Sequence, residues 1–110
     1  MAFSPVSYQA AVDTAGNPVE PTGTAAIAAG ASTTVLKTGP GRLARVTVTT
    51  AGTSTDNATI YDNTAGSGKI IAVILGGTAV GTSFPFDAPV ATGITVVNVA
   101  SGPAFTATFS

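Results

Sequence analysis

From Thr24 onward, turn-forming residues cut this chain at intervals of roughly ten residues, which is the spacing of short antiparallel strands. The punctuation is Gly39-Pro40-Gly41, Gly52 to Asp56, Asn63 to Gly68, Gly76-Gly77, Ala88-Pro89 and Gly102-Pro103. Glycine supplies unusual backbone angles at such points, and proline removes a donor that a helix or a central strand needs. Between them lie "TAAIAA" (24–29), "STTVLK" (32–37), "RLARVTVTT" (42–50), "NATIYD" (57–62), "KIIAVIL" (69–75), "VGTSFPF" (80–86), "GITVVNV" (93–99) and "AFTATFS" (104–110). No window of about twelve residues carries a helical apolar period. The pattern predicts an all-β domain, an antiparallel β-sandwich or jelly roll of about eight short strands, spanning 23–110.

Several of these segments alternate with period two, as a half-buried strand does. Ala44, Val46 and Val48 fall on one face and Arg45, Thr47 and Thr49 on the other. Ala58 and Ile60 oppose Thr59 and Tyr61; Phe105, Ala107 and Phe109 oppose Thr106 and Thr108. The alternation fails in 69–75 and in "VVNV" (96–99), which are apolar on both sides. Core packing covers one side, and contact with another subunit is the expected cover for the second. The residues expected to serve self-association are Ile70, Ala72, Ile74, Val97 and Val99, with the choice of core face left open because a one-residue slip exchanges the two.

Residues 1–22 read differently. Pro5, Pro18 and Pro21 bias their predecessors to extended backbone, so the segment is expected to form an extended N-terminal arm, with a disordered terminus as the plain alternative. Phe3, Pro5, Val6 and Tyr8 are its candidates for lying on a neighbouring protein. "MAFSPVSYQA" lacks the basic region and apolar run of a secretory signal.

Composition narrows the chemistry. Only 8% of residues are charged, against about 25% in ordinary soluble domains. The formal net charge is −1, and no basic cluster offers itself to nucleic acid or to an anionic membrane surface. A domain with so little charge has weak self-repulsion and tends to associate. The absence of histidine removes the commonest general base, and the absence of cysteine removes thiolate chemistry and disulfides. The acidic residues are Asp13, Glu20, Asp56, Asp62 and Asp87. Asp56-Asn57 and Asp62-Asn63 read as turns in which a side-chain oxygen bonds local backbone, and Asp87 as another turn residue. Arg42 and Arg45 are an odd number of residues apart, so an ideal strand points them to opposite faces. In "YDNTAGSGKIIAVI" (61–74) the dipeptide Gly68-Lys69 echoes a phosphate-binding loop. Asn63 stands where that loop needs its first glycine, Ile70 where it needs a hydroxyl, and β-branched residues follow where it needs a helix. The segment reads as the turn of a hairpin. No catalytic, cofactor or metal site is expected, and the chain reads as a non-enzyme.

The stretches "STTVLKTGPGRLARVTVTTAGT", "ATIYDNTAGSGKIIAVI" and "GITVVNVASGPAFTATFS" resemble small structural proteins of tailed-bacteriophage virions, the capsid decoration (cement) proteins in particular. The shared pattern is a "VLK-x-GPG-x-L" hairpin, a "YDN" turn and a late "G-I-T-V" strand, covering about residues 32–110. The resemblance implies a subunit made in the bacterial cytoplasm and carried on the phage head surface. It further implies a homotrimer, with the major capsid protein as partner and extended termini reaching across shell subunits. Other roles open to such a chain are a tail, neck or head-fibre component, or a host-surface or carbohydrate-binding module. The last is disfavoured by five Phe, two Tyr and no Trp.

Overall fold

The computed structural model describes residues 23–110, together with the backbone of two short strands, β1 (Ala11–Val12) and β2 (Pro18–Val19), which pair antiparallel. The described residues contain no helix. The domain is built from β3 (Gly23–Ile27), β4 (Ser32–Thr38), β5 (Gly41–Thr50), β6 (Ala58–Asp62), β7 (Lys69–Ile74), β8 (Ser83–Val90), β9 (Gly93–Asn98) and β10 (Ala104–Phe109). These form two four-stranded antiparallel sheets, in the orders β3-β10-β5-β8 and β4-β9-β6-β7. β3 pairs with β10, β4 with β9, β5 with β8 and β6 with β7, so the chain is one long folded-back ribbon rolled into two layers, the strand order of a jelly roll. The expected sandwich of eight strands is what forms.

Only β6 and β7 are consecutive in both sequence and sheet; every other connection from β3 onward crosses between layers. Gly39-Pro40 therefore turns a corner from β4 to β5, and the hairpin expected at "TGPG" is replaced by a passage between sheets. Two residues suffice because Gly39 adopts a φ of 97°, and its N–H donates to the carbonyl of Thr92 (2.8 Å) in the matching corner between β8 and β9. Ala88-Pro89, expected to be a turn, lies within β8. Proline is tolerated there because β8 is an edge strand, whose outward N–H has no ladder partner.

The core fills the space between the layers with Ile27, Leu43, Val46, Val48, Ala58, Ile60, Ala72, Ile74, Val90, Ile94, Val96, Phe105 and Ala107. Each of the larger side chains contributes about 1.5–3 kcal/mol by leaving water. Phe84 and Phe86 close the β8 side, their rings stacked with centroids 6.0 Å apart.

Extra residues in single strands adjust the alternation. Leu43 and Arg45 of β5 face Phe109 and Thr108 of β10, leaving Ala44 without an opposite number. This bulge restarts the period, so Leu43 joins Val46 and Val48 inside while Ala44 is only half-buried. It also turns both Arg42 and Arg45 outward, correcting the expectation that they face opposite ways. In β7, Ile71 is the extra residue between Ile70, opposite Tyr61, and Ala72, opposite Ile60.

The far end of the sandwich is closed by backbone contacts. Gly52 N–H donates to Gly76 O (2.7 Å) and Thr53 N–H to Ser101 O (2.8 Å). Asn98, 3% exposed, donates from Nδ2 to Pro103 O (2.8 Å) and Ala28 O (3.1 Å), while its Oδ1 accepts from Val99 N–H (2.9 Å). A Cβ at Gly76 would collide with the carbonyls of Thr53 and Asp56, whereas one at neighbouring Gly77 would only touch Ser54 at 3.4 Å. Gly76→Ala is therefore expected to lower unfolding free energy by about 1–3 kcal/mol, and Gly77→Ala by well under about 1 kcal/mol, in urea titrations followed by circular dichroism.

Candidate interaction surface

The two outward faces differ in chemistry. On the β3-β10-β5-β8 layer, the cross-strand rows read Thr24, Thr108, Arg45, Pro85 and Ala26, Thr106, Thr47, Ser83. Arg45 Nη1 donates to Ser83 Oγ (3.0 Å), and Arg42 Nη1 donates to both Oδ1 (2.9 Å) and the carbonyl (3.0 Å) of Asp87. Asp87 sits at φ 48° where β8 carries more residues than β5 opposite, so it is part of a bulge and not of a terminal turn. The pair is solvent-exposed, which limits its worth to about 1 kcal/mol at most.

On the β4-β9-β6-β7 layer, the rows read Thr33, Val97, Thr59, Val73 and Val35, Thr95, Tyr61, Ile70. No charged residue stands in either row. Val35, Ile70 and Val73 are 47%, 54% and 46% exposed, and Leu75 just beyond β7 is 60% exposed.

This geometry sorts the residues expected to serve self-association. Ile70 lies on the open face, and Val99 is partly exposed beyond the end of β9. Ala72 and Ile74 are in the core, a correction that follows from the bulge at Ile71 and from the β6 residues they pair with, Ile60 and Ala58. Val73, which was not singled out, takes the outward place that alternation from Ile70 denied it. Val97 is half-covered by its own chain, since Gly66 packs so closely that a Cβ there would come within 2.6 Å of Val97 Cγ2. Part of the second cover expected from a subunit is thus the β6–β7 loop. The arm candidates Phe3, Pro5, Val6 and Tyr8 lie outside the described residues.

That loop is held by side chains the sequence placed in turns. Asn63 does bond locally, accepting from Thr64 N–H (2.8 Å) and donating to Ser67 O (2.8 Å). Its carbonyl accepts from the hydroxyl of buried Thr95 (2.7 Å). Asp62 and Asn57 instead reach far along the chain. Asn57 Oδ1 accepts from Gly76 N–H (2.9 Å), and the Asp62 carboxylate accepts from the backbone N–H groups of Ala91 (3.0 Å), Thr92 (2.9 Å) and Gly93 (3.3 Å). Asp62 thereby fastens the β8–β9 corner to the end of β6. The bonds from Ala91 and Thr92 hold its carboxyl below the ordinary value of 3.8; the Gly93 bond and the charge of Lys69 act the same way, against some desolvation.

The described residues enclose no cavity or cleft and gather no cluster of metal-binding side chains. No helix among them is long and apolar enough to cross a membrane. Compared with protein-family models, with curated proteins and with solved structures, the chain matches none.

Two outcomes are expected. Because the folded Asp62 carboxyl releases its proton more readily than the unfolded one, its contribution to stability is complete above pH 3.8 and is lost as pH falls through the lower folded value. The stability difference between the native chain and Asp62→Asn, measured by thermal unfolding, should be constant near neutrality and shrink only below about pH 4. Ile74→Asp should abolish folding or cost more than about 4 kcal/mol, whereas Ile70→Asp should change stability by about 0.5 kcal/mol or less in the same assay.

Proposed function

We propose that this chain is a non-enzymatic structural protein of a phage virion, a decoration or cement protein bound to the outside of the head. Its partner in that role is the major capsid protein, and copies of the chain associate with one another on the shell. The observation that carries the reading is the charge-free outer face of the β4-β9-β6-β7 layer, where Val35, Ile70 and Val73 stand exposed on a domain with so few charges. Exposed large apolar side chains such as Ile70 and Val73, close together on β7, are the kind of surface that contacts other macromolecules. The resemblance of residues 32–110 to virion proteins supplies the setting, and a jelly-roll strand order is compatible with it, although a fold alone fixes no function.

The mechanism requires no chemistry. A decoration protein adds buried area at junctions between shell subunits, and many modest contacts act together through effective concentration. In this reading the arm, with Phe3, Pro5, Val6 and Tyr8, lies across a neighbouring shell subunit, and the sandwich stands above it. The second reading, a tail, neck or head-fibre component, uses the same apolar face on a different part of the particle.

Immunogold labelling of intact virions of the encoding phage tests the assignment: label over heads is expected, and label confined to tails selects the second reading. Removing residues 1–20 is expected to leave the sandwich folded by circular dichroism while reducing binding to undecorated heads at least tenfold in cosedimentation. Undiminished binding would remove the arm from the contact.

A further inference from the structure

Two corners lie side by side at the end of the sandwich opposite Asn98. Gly39-Pro40 carries the chain from β4 to β5, and Ala91-Thr92 carries it from β8 to β9. The residues that flank them are partners in the sheets, Thr38 with Gly93 in one layer and Gly41 with Val90 in the other. The corners themselves are joined by the bond from Gly39 N–H to Thr92 O (2.8 Å). The N–H groups of Ala91, Thr92 and Gly93 converge on one side chain, the carboxylate of Asp62 at the end of β6. Ala91 donates to Oδ2 (3.0 Å) and to Oδ1 (3.2 Å), and Thr92 (2.9 Å) and Gly93 (3.3 Å) donate to Oδ1. This corner has little room to move on its own, because a Cβ at Gly93 would come within 2.6 Å of the Lys37 carbonyl oxygen and 3.1 Å of that of Asn63. A displacement of Thr92 therefore pulls on Gly39 and presses on the end of β4.

We propose that the Asp62 carboxylate is an acid-released latch for both corners. It holds the β8–β9 corner directly and the β4–β5 corner through Thr92, so this end of the sandwich opens as one unit. An ionised carboxylate only accepts, and here donors meet both of its oxygens. Protonation makes one oxygen a donor among donors and removes the charge that strengthens the remaining bonds. The charged groups nearby leave control with Asp62. Lys69, opposite it in β7, favours the ionised form. Lys37 of β4 lays its side chain over Gly41, and Asp87 of β8 is taken up by Arg42 of β5. β9 and the two residues of the corner contribute no ionisable group. Because the bonds from Ala91 and Thr92 lower the folded carboxyl's pKa, the latch is complete above pH 3.8 and is released as pH falls through the lower folded value. The far end is held differently: Asn98, which does not titrate, makes its side-chain bonds, and Gly52 and Thr53 donate to carbonyls. Acid therefore loosens one end of the sandwich and spares the other. The latch is a property of the single chain, whatever particle or partner that chain serves.

Amide resonances of the full-length chain, followed by nuclear magnetic resonance from about pH 7 to about pH 2, test it. The N–H protons of Ala91, Thr92 and Gly93 should shift with one midpoint below pH 3.8. Gly39, whose N–H bonds Thr92 and not the carboxylate, should follow with the same midpoint, while Gly52 and Thr53 stay still in that step. At about pH 6, Asp62→Asn should quicken hydrogen exchange at Gly39, Ala91 and Thr92 at least about fivefold and leave Gly52 and Thr53 within about twofold of native. Asp87→Asn removes a carboxylate from the same end and should leave Gly39 within about twofold of native. A Gly39 amide that does not titrate with those of Ala91 to Gly93 would overturn the proposal. So would Gly52 and Thr53 moving in the same step, exchange that quickens equally at both ends, or an Asp87 variant that matches Asp62→Asn. The titration uses the native chain and decides the matter even where Asp62→Asn does not fold.

Discussion

The strict two-residue period of a β-strand governs this protein, and every feature of its surface depends on where that period is interrupted. A strand that gains one unpaired residue exchanges its faces from that point on. Ala44 does this in β5 and Ile71 in β7. Without the first, Leu43 would leave the core and Arg42 would enter it. Without the second, either Ile70 would be inward or Ala72 and Ile74 would be outward. The interior is made of aliphatic side chains and one fully buried Phe, with no buried charge to fix their positions. Placement of the bulges therefore decides which apolar residues hold the domain together and which are left exposed.

The two ends of the sandwich are secured by polar groups that make up for the shortness of the connections. Corners of two residues leave backbone N–H groups pointing outward, and the Asp62 carboxylate gathers three of them. At the opposite end Asn98 links the β3–β4 connection to the β9–β10 connection, and no buried side-chain nitrogen or oxygen among the described residues is left without a partner. Apolar layers pack without regard to exact position; these directional bonds fix how the layers meet. β7 lies at an edge of that scaffold, so its exposed side chains are presented by a strand and not by a separate loop.

Much of this was legible from residue order. Turn residues at regular spacing gave eight strands, seven with ends close to those observed and the 80–86 segment displaced to Ser83–Val90, and alternation in 58–62 and 104–109 named their inward residues correctly. What was not legible has a common cause. "TGPG" has the look of a hairpin turn, yet whether two residues join neighbouring strands or opposite layers depends on which strand arrives beside β4, and that is β9, more than fifty positions away. The side chains of Asp62 and Asn57 resemble local turn formers, and their acceptor atoms are used by groups that only folding brings near. Asn98, central to the far end, sits in a run that reads as plain apolar strand.

By itself, the sequence determined that this chain is all-β, that it has neither histidine nor cysteine, and that it carries few charges beside many apolar and small side chains. These follow from residue identity and from spacings shorter than a strand, which local sterics and solvation enforce directly. The tertiary structure alone decided which of two apolar faces is core, which strands lie at the sheet edges and which carboxylate closes a corner. Those depend on register between strands distant in sequence, and register is set by packing that no local stretch contains.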